Sequence, residues 1–388
     1  MRCLAIGLTA FSLFLTAFGT RAASSRPGIR IGSDVVIYSD DRFYSSFPSI
    51  VRRRDGELLV AFRRAPERRA FGEKGVTHTD ANSYLVMVRS ADAGQTWTER
   101  PELIYANPFG GSQDPCMVQL RDGSLLCTSY GWAYVQTDAI ANLKDSVHFG
   151  NYVFLGGFLV RSENGGRTWS DAIIPAPCQG ETARNLQGQP IPAYNRGAIC
   201  EGRDGRLYWA VASNTSTNSK QTEVHLMISE DKGRTWRYSC PIARDAGFSV
   251  NETSLYQTPN GDLVAFMRTE GFNDHAIVAR STDRGARFSQ WIDAGFQGHP
   301  HYALQLPDQR VLLVYGYRHK PFGVRARVLD PECTQFDGME IVMRDDGGNG
   351  DLGYPWATMI SKNRALVVYY FNKADKTRSI AGTFLEIE

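Results

Sequence analysis

The chain has 388 residues, 42% hydrophobic and 22% charged, an ordinary globular composition that excludes a disordered, collagen-like or polytopic membrane chain. Its 43 basic and 41 acidic residues leave a net charge of +2, so bulk charge gives no reason to expect nucleic acid or an anionic membrane as partner. The 37 glycines, 20 Phe, 17 Tyr and 7 Trp favour many short strands joined by tight turns. A chain of this length can form two or three ordinary domains or one large barrel or propeller.

The N-terminus reads as a targeting segment. Arg2 precedes an apolar run from Leu4 to Phe18, and small residues lead to Ser24. This is the pattern of a secretory signal peptide over residues 1–23, with a retained anchor as the alternative. The expected location is secreted or periplasmic, with no stable membrane insertion after cleavage. Six cysteines remain beyond Cys3: Cys116, Cys127, Cys178, Cys200, Cys240 and Cys333. An even number in an exported chain permits disulfides, and Cys116 and Cys127 flank one turn as candidate cross-strand neighbours. No CxxC pair occurs, which argues against a zinc cluster.

From residue 40 onward two repeats interleave. The first is an apolar strand, a turn on Asp-Gly or its relic, and a second apolar strand. Its turns are Asp55-Gly56, Asp122-Gly123, Asp204-Gly205, Asn260-Gly261, Asp308-Gln309 and Lys362-Asn363. The strands that follow begin at Leu58, Leu125, Leu207, Leu263, Val311 and Ala365. Such turns between strand patterns are strong hairpin signals. The second repeat is S-x-[DN]-x-G-x-[TR]-[WF], at Ser90–Trp97, Ser162–Trp169, Ser229–Trp236 and, more weakly, Ser281–Phe288. Here an Asp or Asn side chain bonds turn amides, Gly supplies a positive φ, and the terminal aromatic plugs the apolar layer beneath. Six units spaced about 50 to 80 residues apart predict an all-β, six-bladed β-propeller over residues 24–388. The polar insertions near 64–82, 132–150 and 178–196 are expected as loops on one face. A pair of β-sandwiches does not explain six matched hairpins.

In such a fold the innermost strand of each blade precedes its D-G turn. Residues about eight positions before the turn then converge at the axial mouth. They are Ser46-Phe47-Pro48, Gln113-Asp114-Pro115, Asn195-Arg196, Asn251-Glu252, Gly298–His301 and Gly353-Tyr354-Pro355. This is a polar and aromatic ring where a purely structural one would be small and apolar.

The S-x-D-x-G-x-T-W turns resemble the Asp boxes of the sialidase superfamily, the BNR-repeat propellers. The resemblance runs from about residue 40 to the C-terminus and implies the fold; Asp boxes alone do not imply catalysis. Asn251-Glu252 with Arg268 sixteen residues on is similar to the segment carrying the family's catalytic glutamate and second carboxylate-binding arginine. Tyr354 in Gly353-Tyr-Pro-Trp356 falls where the nucleophilic tyrosine lies. Asp80 resembles the loop aspartate that acts as acid/base. Arg325 resembles the third arginine, with Arg318 and Arg327 as competitors. Asp114 is a candidate for bonding a sugar hydroxyl, and His299, with His78 and His301, for further substrate contacts. The first arginine is absent: Ser46-Phe47-Pro48 stands where an Arg-Ile-Pro type motif is usual, and Arg42 and Arg63 do not match it.

These residue types suit one chemistry. A sialoside bears a carboxylate on its anomeric carbon, so a neutral tyrosine hydroxyl avoids the repulsion a carboxylate nucleophile would meet. Sialidases are the tyrosine exception among glycosidases, and arginines bind carboxylates through paired hydrogen bonds. The resemblance implies an exo-acting retaining glycoside hydrolase on a glycan or glycoconjugate, with no cofactor or metal. A glycosidase or polysaccharide lyase on another acidic glycan, or a non-catalytic carbohydrate-binding propeller, are the alternatives.

Overall fold

The computed structural model describes residues 28–73, 78–143, 146–214, 221–373 and 378–388; the expected signal peptide lies outside them. Among the described residues, six four-stranded antiparallel sheets form the blades of a β-propeller. Blade 1 is β2 (Phe43–Arg52), β3 (Leu58–Pro66), β4 (Tyr84–Ser90) and β5 (Glu102–Tyr105). Blade 2 orders β6 (Gly111–Gln119), β7 (Leu125–Tyr134), β9 (Tyr152–Ser162) and β8 (His148–Phe149). Blade 3 is β10 (Cys200–Glu201), β11 (Leu207–Ser213), β12 (Glu223–Ser229) and β13 (Arg237–Ala243). Blade 4 is β14 (Ser249–Gln257), β15 (Leu263–Glu270), β16 (His275–Ser281) and β17 (Ile292–Gln297). Blade 5 is β18 (His301–Gln305), β19 (Val311–Tyr317), β20 (Gly323–Leu329) and β21 (Glu340–Arg344). Blade 6 joins β22 (Gly353–Ser361), β23 (Arg364–Phe371) and β24 (Ser379–Ile387) to the N-terminal strand β1 (Ile29–Tyr38), which supplies its outer edge.

All six D-G or relic turns link the first two strands of a blade, as the registers Arg52 with Leu58 and Gln257 with Leu263 show. In blades 1, 3 and 4 the Asp box links the third strand to the fourth; in blade 2 it follows β9 and leads to Ile173, which bridges back to Leu159. In the box of blade 1, Asp92 accepts from the Thr96 amide (2.9 Å) and hydroxyl (2.6 Å), and Ser90 accepts from the Gly94 amide (2.8 Å). The boxes also staple blade to blade. A Cβ added at Gly285, where φ is +77°, would lie 2.4 Å from Leu226 in the preceding blade.

Successive side chains along each strand point to opposite faces, and both faces of a blade are covered by neighbours, so runs such as Leu58–Phe62 and Leu207–Val211 are buried throughout. The hydrophobic clusters therefore lie between blades. Leu125 and Cys127 meet Leu59 and Met87 between blades 1 and 2. Leu226 and Tyr208 meet Leu255 and Met267 between blades 3 and 4. Phe62 and Val86 meet Trp356, Leu366 and Phe384 between blades 1 and 6, closing the ring.

Two expectations need correction. The insertion near 132–150 is not all loop: it holds the end of β7, a single helical turn α1 (Thr137–Ile140) and β8, which takes the outer edge of blade 2. All six described cysteines are free. The register sets Cys116 opposite Thr128 and Met117 opposite Cys127. Cys116 and Cys127 thus point to opposite faces of the blade and enter different inter-blade clusters.

Candidate active site

Four inner strands break register at the same height, between Ser46 and Ser49, Gln113 and Cys116, Asn251 and Ser254, and Gly353 and Trp356. At each break one non-glycine residue takes a positive φ: Phe47 (56°), Asp114 (34°), Glu252 (28°) and Tyr354 (51°). A bulge of this kind re-aims a side chain, and a left-handed non-glycine residue costs about 1–2 kcal/mol. Four such residues at one level of a propeller show a site built at the expense of local backbone energy.

Tyr354 and Glu252 meet directly. The Tyr354 hydroxyl donates to Glu252 Oε1 at 2.5 Å. Arg268 Nη1 donates to Glu252 Oε2 at 2.6 Å and to the Tyr354 oxygen at 3.1 Å, while its Nη2 lies 2.8 Å from Glu270. The Arg318 guanidinium carbon stands 4.9 Å from the centre of the Tyr354 ring. Arg318 is braced from behind: Nη2 donates to Tyr370 (2.8 Å) and Nε to the Leu352 carbonyl (3.1 Å). Tyr370 in turn donates to Asp351 at 2.9 Å, and Asp351 also takes Tyr44 (3.0 Å), His78 (3.0 Å) and Arg378 (2.9 Å).

Burial raises the Glu252 carboxyl, but the Arg268 charge and the Tyr354 and Arg268 hydrogen bonds outweigh it and hold the group below its ordinary value. Burial and then the Glu252 charge push the Tyr354 phenol well above its ordinary value, against the pull of Arg268 and Arg318. The resting state is thus a carboxylate accepting from a neutral phenol, a base set against a nucleophile.

Asp114 lies in the same ring. Its Oδ2 accepts from Tyr130 at 2.8 Å, and its Oδ1 is buried with no partner. Burial, then the Glu252 charge, raises its carboxyl to about 6. His299 is 3% exposed; burial, then the Arg268 charge, lowers it to about 4, so it faces the site as a neutral ring. His301 is core, packed against Phe296 and Tyr315.

Two expected residues lie elsewhere. Arg325 does not join the group: it is buried on β20, donating to the Arg344 and Pro321 carbonyls, with its guanidinium 4.7 Å from the Tyr317 ring. Arg318, the residue after the end of β19 at Tyr317, stands over Tyr354 instead. The reason is topological: β20 is the third strand of its blade, whereas Arg318 follows β19 directly at the mouth. Asp80 is buried and held by Arg68, with Nε to Oδ2 at 2.6 Å and Nη2 to Oδ1 at 2.9 Å. Both its oxygens are engaged there, and no hydrogen bond joins it to Tyr354 or Glu252.

At the missing first arginine, strand register supplies a neighbour that the motif did not show. Ser46 pairs with Arg63 across β2 and β3, and Arg63 is fully buried with its guanidinium 5.6 Å from the Tyr44 ring. Sequence spacing placed Asn195-Arg196 at the mouth without a role. In the structure Arg196 is 2% exposed and lies directly behind Tyr354. Asp351, the hub that fixes Arg318, carried no sequence signal, because its partners come from four separate segments. A cavity of about 240 Å³ adjoins Glu252, walled by Tyr130, Trp132, Phe154 and Tyr194 with Asn251 and Glu270 at its edge.

A family model described as a BNR repeat-like domain matches residues 147–366. A solved structure of a protein of unknown function from Dyadobacter fermentans DSM 18053 is 53% identical, covering 94% of this chain and 100% of that chain at a TM-score of 0.91. A Hadza microbial sialidase gives a TM-score of 0.62 at 17% identity, over 89% of this chain and 66% of that chain. Trypanosoma rangeli sialidase gives 0.63 at 14% identity, over 93% and 60%. The chain spans less than two thirds of these two sialidases, and at such identities the likeness is one of fold. Comparison with curated proteins found no match. With more than half its length matched by the family model and its six blades superposing on sialidase propellers, the chain belongs to the BNR repeat-like family.

Proposed function

We propose that this protein is a retaining, exo-acting glycoside hydrolase of the sialidase type that removes a terminal acidic sugar from a glycan or glycoconjugate. The observation that carries this reading is the 2.5 Å hydrogen bond from Tyr354 to Glu252, with Arg268 reaching both groups. In the first step the Tyr354 oxygen bonds to the anomeric carbon and its proton passes to Glu252. The bond to the leaving oxygen breaks as that oxygen receives a proton, which we assign to Asp80 once it has left Arg68 and taken up that proton from solvent. In the second step water, deprotonated by the same acid/base carboxylate, displaces the tyrosine oxygen, which recovers its proton from Glu252, and configuration is retained. Arg268 and Arg318 hold the substrate carboxylate. The aromatic cavity beside Glu252, about 240 Å³ in size, suits an uncharged part of the same sugar. The segment at 1–23 supports export, which would place the enzyme with such substrates.

Ser46 favours a second reading on the same machinery: an acidic sugar other than sialic acid, held by two arginines rather than three. Release of a fluorescent aglycone from an α-sialoside and a panel of other glycosides tests both. Tyr354→Phe is expected to lower kcat by roughly 10³-fold or more on the true substrate. Turnover of another acidic glycoside alone selects the second reading. Binding without turnover across the panel overturns both in favour of a carbohydrate-binding propeller.

A further inference from the structure

Beneath the Tyr354–Glu252 pair lies a nearly buried charged group, Arg196, at the inner wall of the cavity beside Glu252. Arg196 sits in the blade 3 segment just before β10. Its Nη2 donates to the carbonyls of Pro48 (3.0 Å) and of Tyr354 itself (3.3 Å), and its Nη1 to Cys116 Sγ at 3.1 Å. Its guanidinium carbon is 5.3 Å from the centre of the Tyr354 ring and 5.0 Å from that of Trp356. One side chain thus ties blades 1, 2 and 6 to blade 3 at the axis. It also grips the peptide of the residue whose backbone is held at φ 51°.

A buried guanidinium with no carboxylate hydrogen-bonded to it is costly to desolvate. Hydrophobic side chains would fill this axis more cheaply, so its place beneath the nucleophile calls for a reason. We propose that Arg196 is a positioning residue for Tyr354: it fixes the strained Tyr354 peptide and presents a fixed positive charge to the phenolate that develops as the hydroxyl attacks. The inference rests on the reading of Tyr354 as nucleophile. A preorganised charge in a water-excluded site stabilises the charged state without reorganising when it forms. The other groups that face Tyr354 are Glu252 and Asp114, which oppose the phenolate, Arg268 and Arg318, which favour it, and the phenols of Tyr130 and Tyr370. Arg268 and Arg318 also have a substrate carboxylate to bind. Of the three, Arg196 has Nη1 and Nη2 taken up by Cys116 and by the Pro48 and Tyr354 carbonyls, so these donors are not offered to a carboxylate.

The test places 3,5-difluorotyrosine at Tyr354, bringing phenol ionisation to a lower pH, and follows its ¹⁹F shift against pH in the full chain. In Arg196→Gln, which keeps donors but loses the charge, the midpoint is expected to rise by about one pH unit or more. In Arg196→Lys a smaller rise is expected, since the charge remains but moves and the forked donors are lost. Should Arg196→Gln not fold, Arg196→Lys carries the test. Midpoints unmoved from the Arg196 protein overturn the proposal. On the substrate identified by the glycoside panel, both variants in the unlabelled protein are expected to lower kcat with KM changed less than about threefold; a change confined to KM also overturns it. Silence of the unsubstituted protein across the panel counts against the hydrolase reading, while the fluorine titration still reports on Arg196 separately.

Discussion

Tyr354 and Glu252 lie 102 positions apart in the chain and meet because two inner strands carry the same bulge. Their opposite displacements, Glu252 down and Tyr354 up, keep the proton on the phenol until substrate arrives. Asp114 is a further titratable group of the ring and gives a measurable pH signature. Its carboxyl is raised to about 6 from 3.8, so between about pH 4 and 6 the folded protein holds a proton that the unfolded chain has lost. Stability therefore falls as pH rises through that window, by about 3 kcal/mol for this group. His299 and His301, lowered by burial to about 4 and about 3, act in the opposite sense over the same window, so the Asp114 contribution is read as the difference between wild type and Asp114→Asn in urea unfolding from pH 4 to 7; parallel curves would remove Asp114 from the buried ring. The acid assignment has its own signature. Asp80→Asn should slow cleavage of poor leaving groups by roughly 10²–10⁴-fold and of activated aryl glycosides far less. If Asp114→Asn gives that pattern instead, the proton comes from Asp114.

At the scale of elements, the hairpins and Asp boxes do different work. The D-G turns face solvent: a Cβ at Gly261 meets nothing within 4 Å, so its cost is confined to φ +97°. The box glycines face the preceding blade, and Gly285 combines φ +77° with a 2.4 Å approach to Leu226. Gly261→Ala is expected to cost about 1 kcal/mol. Gly285→Ala should cost about 1–3 kcal/mol more from overpacking. Denaturant midpoints of the two variants compare them directly; equal losses would mean that the boxes do not staple the blades.

For the whole molecule, closure is the decisive event. β1 pairs with β24 from Ile29 opposite Ile387 to Tyr38 opposite Ile380, joining the two ends of the propeller in one sheet. Because apolar clusters lie between blades, stability depends on each blade finding both neighbours, and the ring needs no covalent staple. All six described cysteines are free and most are buried. The melting temperature should thus be indifferent to reductant. A fall of several degrees on adding dithiothreitol would show a disulfide and overturn the free-thiol arrangement.

The sequence by itself determined the local elements and their number. Asp-Gly turns and Asp boxes act over fewer than about ten residues through side-chain-to-amide bonds and left-handed glycine, so their signal survives without tertiary context. The same spacing put Phe47, Asp114, Glu252 and Tyr354 at one level, because strand geometry carries a turn's position back along the inner strand. What joins blades was decided only by the tertiary structure. β1 has no turn motif, and only ring closure identifies it as the outer strand of blade 6. Arg318 rather than Arg325 reaches Tyr354 because strand order, not motif distance, sets which arginine stands at the mouth. Asp80 is engaged by Arg68, Ser46 is faced by Arg63, and Arg196 underlies the phenol. Each of these depends on register, on a loop or on a contact across the axis, and such contacts between distant segments leave no periodic trace in the sequence.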